Sequence, residues 1–202
     1  CHTSPYTQNS ALYPVIEMLE GALGFEHEDT SEQKLERLER GLAHAGLELA
    51  TAVPLFASLL SLRLSERYAP LEITPQLQRQ RTFETLLAWV LAMAEKQPLV
   101  LLVEDLHWID PSTLEWLGLV VGQCPTANVL LLMTHRPHFE PPWPGREHLH
   151  ATTLSRLNRR QAQELVARAT AEAALPPEPV ARIASRSDGV PLFVEALATA
   201  AV

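Results

Sequence analysis

Cysteine is nearly missing from this sequence. Cys1 and Cys124 are the only two, one of them at the terminus. Two residues so placed make no disulfide framework, and the expectation is a reducing, cytoplasmic setting. Long apolar runs are missing too. None approaches the roughly 20 residues of a membrane-spanning helix, and the opening residues carry no signal-peptide pattern. No basic tract is long enough to read as a nucleic-acid footprint, and the net charge is −8. No His/Cys/Asp spacing suggests structural zinc, and no serine or cysteine nucleophile motif occurs. Nowhere is a glycine followed by lysine, so the phosphate-cradling pattern G-x-x-x-x-G-K-[ST] is absent.

What is present supports a packed core. Hydrophobic residues make up 47% of the 202 positions, enough for one sizeable domain or a domain with a smaller companion. The first residues read as the end of a strand and the last, "ALATAAV", as the inside of a helix. The expectation is therefore a fragment of a longer polypeptide.

Helical spacing begins at "SALYPVIEMLEGAL" (10–23), with Ser10 as the expected N-cap and Pro14 in the first turn. Thr30 and Gln33 fit a capping box for a second helix, along which Leu35, Leu38, Leu42 and Leu49 keep helical spacing. "PLFASLLSLRLSERYAPLEIT" reads as short helix and loop. Thr74 and Pro75 open a long helix with Leu77, Leu86, Leu87, Val90 and Leu91 on its buried side. "LVLLV" (99–103) is apolar at every position, as expected of a parallel strand covered on both faces. Asp110 and Pro111 open the next helix, with Leu114, Leu117, Val120 and Val121, and "NVLLLM" (128–133) is a second apolar strand.

"HFEPPWPGREH" (138–148) reads as a Pro-rich surface loop, and "TTLSRL" (152–157) as one last short strand. Asn158 and Gln161 repeat the capping-box pattern for a helix to about Ala174. A helix over 179–187 ends at Gly189, and Pro191 starts the last one. Strand, helix, strand, helix, then helices alone predict an α/β sheet over 1–150 and a small helical lid over 151–202.

The chemistry concentrates where the strands end. "LLVEDLHWID" (101–110) closes an apolar strand with Glu104 and Asp105. In a P-loop ATPase, one acid in this position holds Mg²⁺, usually through water, and its neighbour orients or deprotonates the attacking water. Such a pair also suits a plain strand-to-helix turn. The second strand ends in Thr134-His135-Arg136, a hydroxyl and a guanidinium suited to a γ-phosphate. An exposed arginine before a proline fits equally well. Asp110 is explained as a helix N-cap, Gly189 and Pro191 as a helix stop and start, and His107 and Trp108 as packing of the turn.

Together, "LLVEDLHWIDPSTLEWL", "LLLMTHRP" and "GVPLFVEAL", in this order, resemble the AAA/STAND-type ATPase module of large bacterial signalling proteins. The similarity runs across nearly the whole chain. The acid segment is its most specific piece and the Gly-x-Pro piece its least. The opening "SPYTQNSALYPVIE" and the "RPHFEPPW" loop look closer to the group linked to class III adenylate/guanylate cyclases than to regulators with a LuxR-type DNA-binding end.

The resemblance implies a P-loop NTPase-like parallel sheet with helices on both faces, followed by a helical subdomain. It makes Glu104 and Asp105 the Walker B pair, with Glu104 on the metal side. Thr134 and Arg136 become the sensor of the adjacent strand, and Pro191 lies near the adenine. It also implies ATP/ADP and Mg²⁺ as cofactors, an ADP-bound resting state, ATP-driven rearrangement, an upstream cyclase domain, downstream helical repeats and self-association.

Two departures matter. The phosphate loop and first strand would have to lie upstream of Cys1, so this chain alone is expected to bind ATP weakly or not at all. The acid order is Glu then Asp, the reverse of the commoner pattern, and the shorter Asp105 reaches less far towards water. Slow hydrolysis in a conformational switch is the expectation. The alternatives are a catalytically degenerate scaffold and the ATPase core of a LuxR-type activator. Neither direct nucleic-acid binding nor membrane attachment is expected.

Overall fold

The computed structural model describes residues 3, 6, 10–170 and 175–201. The chain divides into two units, Cys1–Leu149 and His150–Val202. The strand end expected at the first two residues, and the stretch of helix expected over 171–174, lie outside the described residues.

The first unit opens with helix α1 (Tyr13–Ala22). Ser10 is not its cap: the helix starts three residues later, from Leu12 in the left-handed region (φ 59°). The Leu12 N–H is satisfied instead by the Asp110 carboxylate, 3.1 Å away and 98 residues along the chain. The Thr30–Gln33 capping box forms and starts α2 (Ser31–His44), which buries Leu35, Leu38 and Leu42. A turn at Gly46, with the Leu47 N–H donating to the Leu42 carbonyl, ends α2. Leu49 accordingly belongs to α3 (Leu49–Leu59). That helix runs through Pro54 because every residue from Ala52 to Ala57 is buried, and packing outweighs proline's intrinsic cost.

Helix α4 (Pro75–Lys96) is capped by Thr74, whose hydroxyl accepts the Leu77 N–H. Its buried side is Thr82, Phe83, Leu86, Trp89, Val90 and Ala94. Leu77, Leu87 and Leu91 are only half-buried.

Strands β1 (Leu99–Val103) and β2 (Val129–Met133) pair in parallel, with Leu99 opposite Val129 and Val103 opposite Met133. They are joined by a 3-10 turn at Leu106–Trp108 and by α5 (Pro111–Gln123). Side chains alternate between the faces of a strand. Leu99, Leu101 and Val103, with Val129, Leu131 and Met133, join the core built by Leu86, Val90, Trp116, Leu117, Val120 and Val121. The other face is largely exposed. Val100, Leu102, Leu130 and Leu132 are 64, 40, 61 and 52% exposed. The uniform apolarity of both strands suggests cover on both sides, and among the described residues only one side has it.

The Pro-rich stretch over 138–148 is more than a surface loop. Trp143 is buried, its indole lying beside Gly118 of α5. His148 reaches back to the Val121 carbonyl, with its Nε2 at 2.9 Å. The indole pins the loop to the core.

In the second unit, residues 152–157 form no strand, and Leu154 is 91% exposed. No strand is described elsewhere in this unit to pair with it. The described residues of this unit form three helices: α6 (Arg159–Ala169), α7 (Pro177–Arg186) and α8 (Pro191–Thr199). The Asn158–Gln161 capping box forms, but α6 ends at Ala169, with Thr170 as its C-cap, rather than near Ala174. Ala162, Val166, Ile183, Ala184, Val194 and Ala198 are its core. Among the described residues no helix is long and apolar enough to cross a membrane.

Candidate functional site

The carboxyl edge of the sheet is tied together by backbone and hydroxyl groups. The Thr134 N–H donates to the Val103 carbonyl (3.0 Å), and the Leu106 N–H donates to the Thr134 carbonyl (2.8 Å). Between these two bonds the Asp105 N–H donates to the Thr134 hydroxyl oxygen at 3.1 Å. Asp105 sits in the left-handed region at φ 58°. A non-glycine residue there is held by its surroundings, and such positions gather at functional sites.

A second clamp comes from the start of the chain. Thr3 is buried, its N–H donates to the Glu104 carbonyl at 3.1 Å, and its hydroxyl lies 2.9 Å from the Glu104 carbonyl and 2.5 Å from that of Asp105. Thr3 and Thr134 hold the acid pair, and nothing in the sequence pattern distinguishes Thr3.

Glu104, Thr134 and Arg136 are exposed and Asp105 is partly so. Glu104 and Asp105 on one strand end, and Thr134 and Arg136 on the other, thus share one edge. Among the described residues no three His, Cys, Asp or Glu side chains gather as a metal cage. A magnesium ion needs no such cage: it keeps several waters and takes one or two carboxylates plus phosphate oxygens. An exposed Glu104 fits that donor set.

Asp110 behaves as a structural cap, and more. It is buried, with Oδ1 accepting from Ser112, Thr113 and Leu12 N–H groups and Oδ2 accepting the Thr113 hydroxyl at 2.5 Å. One carboxylate starts α5 and secures the entry to α1.

His107 packs the turn as expected, its ring 5.0 Å from Trp108 and edge-on to His138 at 5.7 Å. Both ring nitrogens are shut off from solvent, with no hydrogen-bond partner among the described residues. Burial pushes the imidazole below its ordinary value. Asp105 opposes the shift, while Arg136, His138 and His135 add to it. The sequence gives no sign of this orphan ring or of His138 beside it, because the juxtaposition depends on how the segment after β2 folds back.

Pro191 lies in the second unit as the first residue of α8. Gly189 has φ 70°, and a Cβ there would come within 2.3 Å of the Leu157 carbonyl oxygen, so glycine is required on both counts. The helix stop-and-start reading accounts for these two residues.

No family model matches the chain, and no solved structure matches it. An uncharacterized protein of Rhizobium meliloti (strain 1021) is similar, at 31% identity over 128 residues, which is 60% of this chain. The matched region is 12% of that relative's length.

Proposed function

We propose that the edge formed by β1 and β2 is the metal-and-water half of a nucleotide site in a signal-transduction ATPase of the P-loop type. The observation that carries this reading is the direct bond between the Asp105 N–H and the Thr134 hydroxyl. It fixes two acids and a Thr-x-Arg segment side by side at the carboxyl ends of parallel strands, where open α/β sheets bind ligands.

The exposure of one sheet face supports the same reading. Parallel strands are normally covered on both faces. A further β–α unit laid over Val100, Leu102, Leu130 and Leu132 would bury them, and such a unit would bring the glycine-rich lysine loop. In this arrangement Glu104 would hold Mg²⁺ through water, and the ion would supply charge neutralisation at the phosphates. Asp105 accepts a hydrogen bond from the attacking water and orients it. Arg136 contacts the γ-phosphate oxygens. The setting is cytoplasmic, in a cyclase-linked regulator rather than a LuxR-type one, with ADP-bound and ATP-bound forms as its two states.

Thr134 narrows the mechanism. Its hydroxyl oxygen accepts the Asp105 N–H, so it serves first as a clamp on the acid turn. Its single proton remains for a phosphate oxygen. A short acid on the water side, anchored through its own backbone, favours slow turnover. A scaffold without turnover is the second reading, favoured by the same engagement of Thr134.

The test is single-turnover ATP hydrolysis by a polypeptide extended upstream through the lysine loop. The proposal expects slow hydrolysis that Asp105→Asn reduces further. Turnover at ordinary ATPase rates, or hydrolysis indifferent to Asp105→Asn, contradicts it.

A further inference from the structure

A cavity lies among helices α1, α2 and α4 of the first unit. It measures about 320 Å³, at the lower end of small-molecule pockets. Its apolar lining is Leu23, Trp89 and Met93, and its polar lining is Arg37, Arg40 and His44.

The three polar side chains differ in how far they are already engaged. Arg37 donates to the Gly24 carbonyl and to Asp29, and lies 3.8 Å from Glu26. Arg40 donates only from Nε, to the Glu36 carbonyl within its own helix, and no carboxylate pairs with it among the described residues. Its terminal nitrogens and the His44 ring remain available on one helical face, since residues 40 and 44 are one turn apart. The C-terminal end of α2 would repel an anion through its exposed carbonyls. That effect is offset here, because Lys96 places its ammonium on the His44 carbonyl and adds a further positive charge.

Trp89 is 7% exposed and forms, with Met93, the apolar side of the cavity. Apolar walls beside an uncommitted guanidinium and an imidazole describe a ligand with an apolar body and an anionic head.

We infer that the cavity lined by Trp89, Met93, Arg40 and His44 binds a small amphiphilic carboxylate, with its hydrocarbon on Trp89 and Met93 and its carboxylate on Arg40 and His44. Arg40 suits a carboxylate through its paired N–H groups. The site is independent of nucleotide chemistry and gives the protein a place to sense a small organic acid.

The experiment uses octanoate and octanol as probes on the 202-residue chain, with 8-bromooctanoate as a heavy-atom quencher of tryptophan fluorescence. Octanoate is expected to bind saturably at one site, with octanol at least about tenfold weaker, one charge-assisted contact being worth that much. Bromooctanoate quenching should be lost in Trp89→Phe, and Arg40→Ala with His44→Ala should weaken octanoate by a similar factor. Both side chains are exposed, so neither truncation opens the core. Saturable binding absent up to millimolar octanoate, equal affinity for octanol, or quenching that survives Trp89→Phe would overturn the inference. None of these outcomes involves ATP, so they leave the nucleotide reading untouched.

Discussion

The backbone N–H of Asp105 donates to the hydroxyl of Thr134 at 3.1 Å, across 29 residues of chain. This bond joins the ends of two parallel strands and fixes where the acid pair stands. Thr134→Val keeps the shape and removes the acceptor. A loss of about 1–2 kcal/mol is expected, with Thr134→Ser restoring most of it. Urea denaturation of the three proteins checks this.

Asp105 holds a backbone conformation that aspartate and asparagine tolerate and branched residues do not. Asp105→Asn is expected to change stability by less than about 0.5 kcal/mol, whereas Asp105→Val costs about 1–2 kcal/mol or more. Equal denaturation midpoints for the two variants would show that the turn relaxes freely.

Asp110 accepts four hydrogen bonds from three residues while buried. Asp110→Ala removes the α5 cap and leaves the Leu12 N–H without its partner. The expected cost is about 3 kcal/mol, above an ordinary cap deletion, because two segments are affected. Thermal unfolding and hydrogen exchange at Leu12 report the two parts separately.

These three residues show what the sequence disclosed. Asp110 was legible as a cap because an N-cap and Pro at the next position form a local pattern. Its reach to Leu12 was not, because a contact 98 residues away leaves no local trace. The same division runs through the site. Strand ends and acids follow from apolar runs and their termini, and both strands lie within a residue of their expected bounds. Thr3, the orphan His107 and buried Trp143 depend on tertiary folding. The strand expected over 152–157 failed for a related reason: alternating residues make no ladder without a partner, and Leu154 stays exposed.

His107 gives a pH dependence of definite sign. Burial, supported by Arg136, His138 and His135 and opposed by Asp105, holds its folded-state value below the ordinary one. The folded protein therefore prefers the neutral ring. Its contribution is intact above about pH 6.5 and is lost as pH falls through the folded value. Between pH 7 and pH 5, His107→Phe is expected to lose less stability than the native chain. Equal losses in urea midpoint would contradict this.

Gly118 faces the Trp143 indole, and an added Cβ would stand 3.1 Å from its Nε1. Gly118→Ala gains helix propensity of about 1 kcal/mol but displaces the anchor of the Pro-rich loop. The expected signature is a red-shifted Trp143 emission and faster proteolysis within 138–148, read against a Trp143→Phe control.

The central claim is that Glu104 faces the metal of a nucleotide site. Its most direct test is the Mg²⁺ dependence of ATP binding, measured by calorimetry on the polypeptide extended upstream through the lysine loop. Mg²⁺ is expected to strengthen ATP binding, and Glu104→Gln to remove this increment while leaving Mg²⁺-free binding in place. An increment unchanged by Glu104→Gln would contradict it.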